Sequence, residues 1–378
     1  MSAPKPTILQ NDFKRQWAFV EEAVLRAVRR VGSSGWYILG NEVATFEKEL
    51  AAFWGVSHAI GTGNGLDALE IGLRCLGLRP GDKVLTTPLS AFATTLAVVR
   101  GGGVPVFVDV DEAGGIDLGQ CRELLARDRS IRFLLPVHLY GRALNMEELG
   151  RLRRDFRLQV LEDCAQAIGA ESGEIRAGTT GQAAATSFYP TKNLGALGDA
   201  GAILTNDASV AKAAIEMRNY GQSAHYLHSR LGLNSRLDEL HAAILREAFL
   251  PNLATWTTAR RRIAMKYLDE IRNASLILPA SGSANDSVWH LFPVLVTAGS
   301  RDEFQAYLRS EGIMTGVHYP GIIPDQPALA DAGLGDYSTR LENARRFARS
   351  EVSLPLHPFM TDAEVEAVIQ ACNNWNGS

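Results

Sequence analysis

Cysteine is scarce and scattered: Cys75, Cys121, Cys164 and Cys372 are the only four in 378 residues, and no two form a CxxC pair. That usage excludes a disulfide-stapled secreted scaffold and offers no zinc-finger spacing, so free thiols in a reducing compartment and no bound metal are expected. An excess of charge of one sign is missing too. Lys plus Arg total 38 against 42 for Asp plus Glu, a net charge of −4, which gives no general attraction for nucleic acid or anionic lipid. Any anionic ligand must therefore be held by a local site. No apolar run approaches the length of a bilayer, and residues 1–13 lack the apolar stretch of a signal peptide. A cytoplasmic protein without membrane or nucleic-acid partners is the expectation.

What is present is the composition of an ordinary folded protein, 46% hydrophobic and 21% charged. The length suits a large domain with a smaller companion. Apolar residues at helical spacing predict helices over residues 16–30 and 43–53, the second with Phe46, Leu50 and Phe53 on one face. From there to about residue 205, short β-rich runs alternate with helical stretches, at 59–60, 84–87, 104–110, 131–137, 159–163, 183–187 and 202–205. Seven runs in that pattern predict an α/β fold, a mostly parallel seven-stranded sheet between helices. Helices are expected at 235–248 and 255–272 with Pro251 between them, a strand at 288–296, and further helices opened by the capping boxes Ser300–Glu303 and Thr361–Glu364. Residues 1–250 are read as the large domain and 251–378 as a smaller α+β domain.

Three segments carry candidate chemistry. Gly61-Thr62-Gly63-Asn64-Gly65-Leu66-Asp67-Ala68-Leu69 is a glycine-rich turn between a short strand and a helix, where free amides and the helix dipole can bind phosphate. Taken alone it serves equally as a tight turn. It is neither a Walker loop, having no Gly-Lys-Ser/Thr, nor a GxGxxG, because Ala68 stands where the third glycine belongs. Val160-Leu161-Glu162-Asp163-Cys164-Ala165-Gln166 ends an apolar strand on two acids, at the edge where open α/β sheets place ligands. Ser187-Phe188-Tyr189-Pro190-Thr191-Lys192-Asn193-Leu194-Gly195 sets a lysine between a strand end and a glycine turn. A lone acid or a lone lysine is most often solvated. Their order along one α/β domain (phosphate turn, strand-end acid, hydroxyl plus lysine) is what makes a site of them.

In that order the chain resembles the DegT/DnrJ/EryC1/StrS family of sugar aminotransferases, fold-type-I pyridoxal phosphate enzymes, from about Gly35 to Val368. The resemblance implies that Lys192 forms the Schiff base with the cofactor aldehyde and then acts as the base. It implies that Asp163 pairs with the pyridine nitrogen, Gln166 bonds the phenolic oxygen and Phe92 stacks on the ring. The Gly65 and Leu66 amides and the Ser187 hydroxyl would take the phosphate. Asn234, in Gly232-Leu233-Asn234-Ser235-Arg236, would reach the phosphate of a partner subunit, which implies a homodimer with shared active sites. His318 and Tyr319, in Val317-His318-Tyr319-Pro320, and more weakly Tyr37 and Arg236, are candidates for the sugar and its nucleotide. Ile168, Asp325 and Ala200 depart from the family pattern of His, His and Gly, the first two at inherited substrate contacts.

The implied reaction is transamination from an amino acid, L-glutamate, through pyridoxamine phosphate to a ketone on a dTDP- or UDP-linked hexose. The wording Asn64-Gly65-Leu66-Asp67-Ala68-Leu69 resembles members acting on 3-keto sugars. Two rivals share the fold. A sugar dehydratase typically has histidine in place of Lys192, and a catalytically silent regulator would bring an added DNA-binding module or basic patch.

Overall fold

The computed structural model describes residues 7–280, 286–334, 336–337 and 340–377; residues 1–6 of the N-terminal stretch lie outside the described residues. Seven strands build the main sheet: β1 (His58–Thr62), β2 (Lys83–Thr86), β3 (Val104–Phe107), β4 (Phe133–Leu135), β5 (Gln159–Asp163), β6 (Ala183–Ser187) and β7 (Gly201–Thr205). Their spatial order is 1-7-6-5-4-2-3, and β7 runs antiparallel to both of its neighbours while the other pairings are parallel. All seven expected runs are strands. An eighth, two-residue strand, Asp336–Tyr337, joins the β3 edge from the C-terminal part of the chain. Strands β2, β4, β6 and β7 are buried except for half-buried Lys83 and Ser187 at two of their ends, as a sheet covered on both faces requires.

Helices α1 (Phe13–Ser34), α2 (Asn41–Trp54), α3 (Gly65–Cys75), α4 (Phe92–Arg100), α5 (Leu118–Arg127), α6 (Met146–Phe156) and α7 (Ala208–Met217) account for the connections. The first is longer than its apolar pattern because Asp12 caps it, accepting from the Lys14 and Arg15 amides, and Gly35 closes it in the left-handed region at φ 67°.

The helix expected at 235–248 begins later, as α8 (Glu239–Ile244). Asp238 takes the N-cap by accepting from His241 N, and the helix then continues as a π turn, Leu245–Phe249. Its first residue, Glu239, reaches back to accept from the amides of Gly40, Glu42 and Val43 at 2.8–2.9 Å. Gly40, the N-cap of α2, has no side chain with which to cap those donors, so Glu239 supplies the missing acceptor and ties α8 to α2.

Pro251 falls in a 3₁₀ turn, after which α9 (Leu253–Glu270) leaves the sheet. Its first turns, Leu253 and Trp256, sit in the core beside α1 and α2, while Ile263 and Tyr267 sit in a second core. That second core is built on β8 (Leu276–Ile277), β9 (Phe292–Val296) and β10 (Glu351–Leu354), with helices Arg301–Ser310 and Asp362–Asn374 opened by both expected capping boxes. Ile8 belongs to it as well, pairing with Ile313. Residues 288–291 are not strand. They bond instead to the main-sheet side, Val288 N to Gly141 O at 2.9 Å and Leu291 N to Tyr140 O at 3.2 Å, and thereby seat the second unit against the strand ends.

Candidate active site

Side chains alternate across a strand, so the adjacent acids ending β5 must point opposite ways. Glu162 turns into the protein, where its carboxylate accepts from the amides of Gly178, Thr180 and Gly181 at 2.6–2.8 Å and from His138 Nε2 at 2.9 Å. The Leu144 amide donates to His138 Nδ1, which fixes the proton on Nε2. His138, Glu162 and Cys164 lie close enough together to suggest a metal site, but the Glu162 oxygens and both imidazole nitrogens are already engaged in hydrogen bonds. Their work is to lock the end of β5. Glu162→Ala leaves four donors, two buried and two half-buried, without their acceptor and is expected to cost about 3–5 kcal/mol, measured as a lowered urea-unfolding free energy.

Asp163 is thereby directed to the other face, at the carboxyl edge of the sheet. Its carboxylate is buried and accepts from Thr94 Oγ1 at 2.9 Å and from Ala165 N at 3.1 Å. Burial raises its pKa from the ordinary carboxylate value, opposed by those two donors and by the charge of Lys192.

Lys192 follows β6 in a loop held by Phe188 N to Ala200 O at 2.8 Å and Ala196 N to Phe188 O at 2.7 Å. Gly195 has to be glycine at this turn, because a side chain would strike the Pro190 carbonyl. The lysine amine makes no ion pair among the described residues. Burial pulls its pKa down to about 8 against the opposing pull of Asp163. A lysine with that value is partly neutral near physiological pH, the condition for a nucleophile and base.

The Gly65 and Leu66 amides open α3 with no acceptor among the described residues, behind the N-cap Asn64. A side chain at position 65 would come 2.7 Å from Ser187 Cβ, so the absence of one lets the end of β6 press against the start of α3. Two free amides, a hydroxyl and a helix dipole share one spot, which suits a phosphate group. Gly63 N donates to Ser235 Oγ at 3.0 Å, bringing the 234–236 segment beside the same turn.

Gln166 is buried and accepts the Tyr140 amide at 2.6 Å, so its Nε2 faces Tyr319 Oη at 3.3 Å. The Tyr140 hydroxyl in turn donates to the His318 carbonyl at 2.6 Å. Phe92, half-buried at the start of α4, packs against the cluster that contains Leu89, Phe107 and Tyr140.

Asp163, Gln166, Lys192, His318 and Tyr319 are thus linked by hydrogen bonds or electrostatic reach, and Gly65, Leu66 and Ser187 form the neighbouring cup. Tyr37 and Asn234 are exposed and lie outside this cluster. Arg236 is half-buried, with Nη1 2.9 Å from Asn219 Oδ1 and its guanidinium over the Tyr220 ring. Of the departures, Ile168 and Ala200 are core residues, and Asp325 forms an ion pair with Arg345.

Four contributors, Thr94, Tyr140, Asn193 and His290, escape the motif reading. Thr94 bonds Asp163, and its place at the third residue of α4 after Phe92 is the one signal that could have found it. Tyr140 holds Gln166 from a left-handed backbone, φ 59°, for which a Tyr-Gly pair is little warning. Asn193 donates to Val288 O at 3.0 Å, so its Oδ1 accepts from His290 Nδ1 at 3.1 Å and clamps the lysine loop to the second unit.

A 3-2-4-5-6-7-1 sheet with a half-buried lysine and a buried aspartate at its carboxyl edge defines the fold-type-I class of pyridoxal-phosphate-dependent transferases. Within it the chain belongs to the DegT/DnrJ/EryC1/StrS aminotransferase family, whose pattern matches residues 19–373. It is 41% identical over 357 residues to the dTDP-3-amino-3,6-dideoxy-alpha-D-galactopyranose transaminase of Aneurinibacillus thermoaerophilus, covering 94% of this chain and 96% of that one. A Geobacillus stearothermophilus relative called a pleiotropic regulatory protein is 38% identical, covering 95% and 96%. The crystal structure of S. venezuelae DesV in complex with a ketimine intermediate superposes with a TM-score of 0.92 at 38% identity, covering 99% of each chain. The protein is an aminotransferase of this family. No described helix is long and apolar enough to cross a membrane.

Proposed function

We propose that the protein transfers an amino group from L-glutamate, by way of pyridoxal phosphate, to the ketone of a dTDP- or UDP-linked 3-keto-deoxyhexose, giving an amino sugar. The observation that carries this reading is the Lys192 amine, which makes no ion pair among the described residues and lies within electrostatic reach of the buried carboxylate of Asp163, at the sheet edge that also carries Gly65, Leu66 and Ser187. The 3-keto sugar is supported by the name of the 41%-identical relative.

The residues fit the cofactor. Gly65 N, Leu66 N and the Ser187 hydroxyl would hold its phosphate, Asp163 its pyridine nitrogen, Gln166 Nε2 its phenolic oxygen and Phe92 its ring face. When bound, the cofactor supplies an electron sink for the carbanion and a carrier for nitrogen. Asp163 keeps the ring nitrogen protonated, and Thr94 and the Ala165 amide hold that carboxylate in place. Lys192 takes the proton from the donor's α-carbon and returns one to the other side of the transfer, using an amine whose neutral form grows as pH rises through about 8. His318 and Tyr319 close the cleft over the sugar, and Arg236 is the candidate for the diphosphate.

The protein works as a homodimer in this reading. Trp36, Tyr37, Tyr220, Tyr226 and Leu231 are exposed apolar side chains in the segments 36–37 and 220–231, and a second copy would cover them while Asn234 reaches its cofactor phosphate. We place the division between the domains near residue 250, ahead of α9.

Purified protein incubated with glutamate and a panel of 3-keto and 4-keto nucleotide sugars is expected to form a 3-amino sugar. Loss of a hydroxyl without gain of nitrogen would establish the dehydratase reading instead, and inertness toward every ketone would favour a regulator.

A further inference from the structure

Behind His318 lies a chain of polar groups that the cofactor-binding residues do not use. Glu351 and Ser353 alternate on β10, so both side chains emerge on one face, and both are fully buried. Ser353 Oγ is 2.5 Å from Glu351 Oε1, and His318 Nδ1 is 2.9 Å from Ser353 Oγ. The second carboxyl oxygen, Oε2, accepts the His318 backbone amide at 2.6 Å. Main-chain bonds at 2.9 and 3.1 Å pair Ser353 with Gly316, fixing the segment that carries the histidine, and a side chain at 316 would meet His318 Cε1 at 2.9 Å. The imidazole is half-buried, within electrostatic reach of Lys192, and Nε2 has no protein partner among the described residues. The chain is therefore closed at Glu351 and open at His318 Nε2.

Two hydrogen-bond polarities satisfy every atom. In one, Glu351 is a carboxylate, the Ser353 hydroxyl donates to it, His318 Nδ1–H donates to Ser353 Oγ, and Nε2 presents a lone pair. In the other, Glu351 is a carboxylic acid donating from Oε1 to Ser353, the hydroxyl donates to His318 Nδ1, and Nε2 presents a proton. The second holds one proton more than the first, and Oε2 accepts the His318 amide in both.

We propose that Glu351, Ser353 and His318 form a proton relay that protonates the ketone oxygen of the acceptor as that oxygen leaves. The inference rests on the proposed transamination. When an amine replaces a ketone oxygen, the oxygen departs as water and needs a proton beyond the one lost by nitrogen. His318 Nε2–H breaks as the new O–H bond forms, Nδ1 takes the Ser353 proton, and Ser353 takes the Glu351 proton. The remaining Glu351 carboxylate recovers its proton by the reverse shift, through Ser353 and His318, from solvent that enters at the open His318 Nε2 end once product has left. Glu351 and Ser353 are positioning residues, and His318 is the group that touches substrate.

Burial holds the Glu351 carboxyl protonated up to about 8, against the Ser353 hydroxyl, the His318 amide and the charge of Arg301, with Tyr140 and Tyr319 the other titratable groups facing it. His318, pushed down to about 4 by burial and Lys192, stays neutral in both forms. The relay thus donates below about 8 and loses its proton above it, opposite in sign to Lys192.

The test is the tautomer of His318 in full-length protein carrying ¹⁵N-labelled histidine, followed by NMR as pH is raised through about 8. The signal is to be assigned by its loss in His318→Gln. Wild type is expected to pass from Nε2–H to Nδ1–H. In Glu351→Gln the amide oxygen still accepts the His318 N–H while the amide nitrogen permanently donates to Ser353, so Nε2–H should persist throughout. Ser353→Ala should abolish the pH-linked change.

In the amination half-reaction, wild type should lose rate as pH rises through about 8, while Glu351→Gln, whose amide has no proton to release into the relay, and Ser353→Ala should both be slower by about 100-fold and lack that alkaline fall. A wild-type tautomer that ignores pH, or a Glu351→Gln variant that still switches, overturns the relay. If no ketone is aminated while the tautomer does switch, it is the transamination reading that fails.

Discussion

Lys192→Ala is expected to abolish turnover, with a loss of at least about 10⁴-fold in kcat, because in the proposed mechanism one side chain is both the covalent anchor and the base. Unfolding should change little. The lysine amine has no hydrogen bond or ion pair among the described residues, and its loop is held by backbone bonds and by the Asn193–His290 contact. Removing a desolvated amine also removes a destabilising burial. The measurement is single-turnover conversion of the bound cofactor by glutamate, alongside urea denaturation of both proteins. Full activity in the variant would rule out the mechanism.

Asp163→Asn should give the second-largest loss, about 10²–10³-fold in the rate of proton transfer, together with faster loss of the cofactor. Asparagine keeps the shape but not the charge that a cationic ring nitrogen needs. Its amide must also turn a donor toward either the Thr94 hydroxyl or the Ala165 amide, both of which now donate. Glu162, its neighbour, should behave in the opposite manner, since its change acts on stability through the four donors it accepts from, on the face of the sheet turned away from Asp163. One pair of adjacent acids thus separates into a chemical and a structural role through strand alternation alone.

That separation shows how far the amino-acid sequence can be read. The seven strands are legible because each is a short β-rich run bounded by turn residues. The three chemistry-bearing segments are legible because each directly follows or ends a strand, at one edge of the sheet. The contacts that orient them are not. Glu239 completing the N-terminus of α2, Tyr140 pinning Gln166, and Ser353 with Glu351 behind His318 each join residues far apart in the chain, where local patterning carries no information. The strand expected at 288–296 forms only in its second half for a related reason: residues 288–291 have strand-like composition, but their backbone groups are taken by Tyr140, Gly141 and Asn193. Local propensity gives way to a tertiary partner.

Tyr37 and Asn234 illustrate the other boundary. Both are candidates by resemblance, but both are exposed in the single chain and neither joins the cluster around Lys192.

The most direct measurement is borohydride reduction of the native, cofactor-loaded enzyme, followed by peptide mass analysis. A single pyridoxyl-phosphate adduct on the peptide that contains Lys192 is the expected result. Absence of an adduct, or one on any other lysine, would contradict the assignment of Lys192.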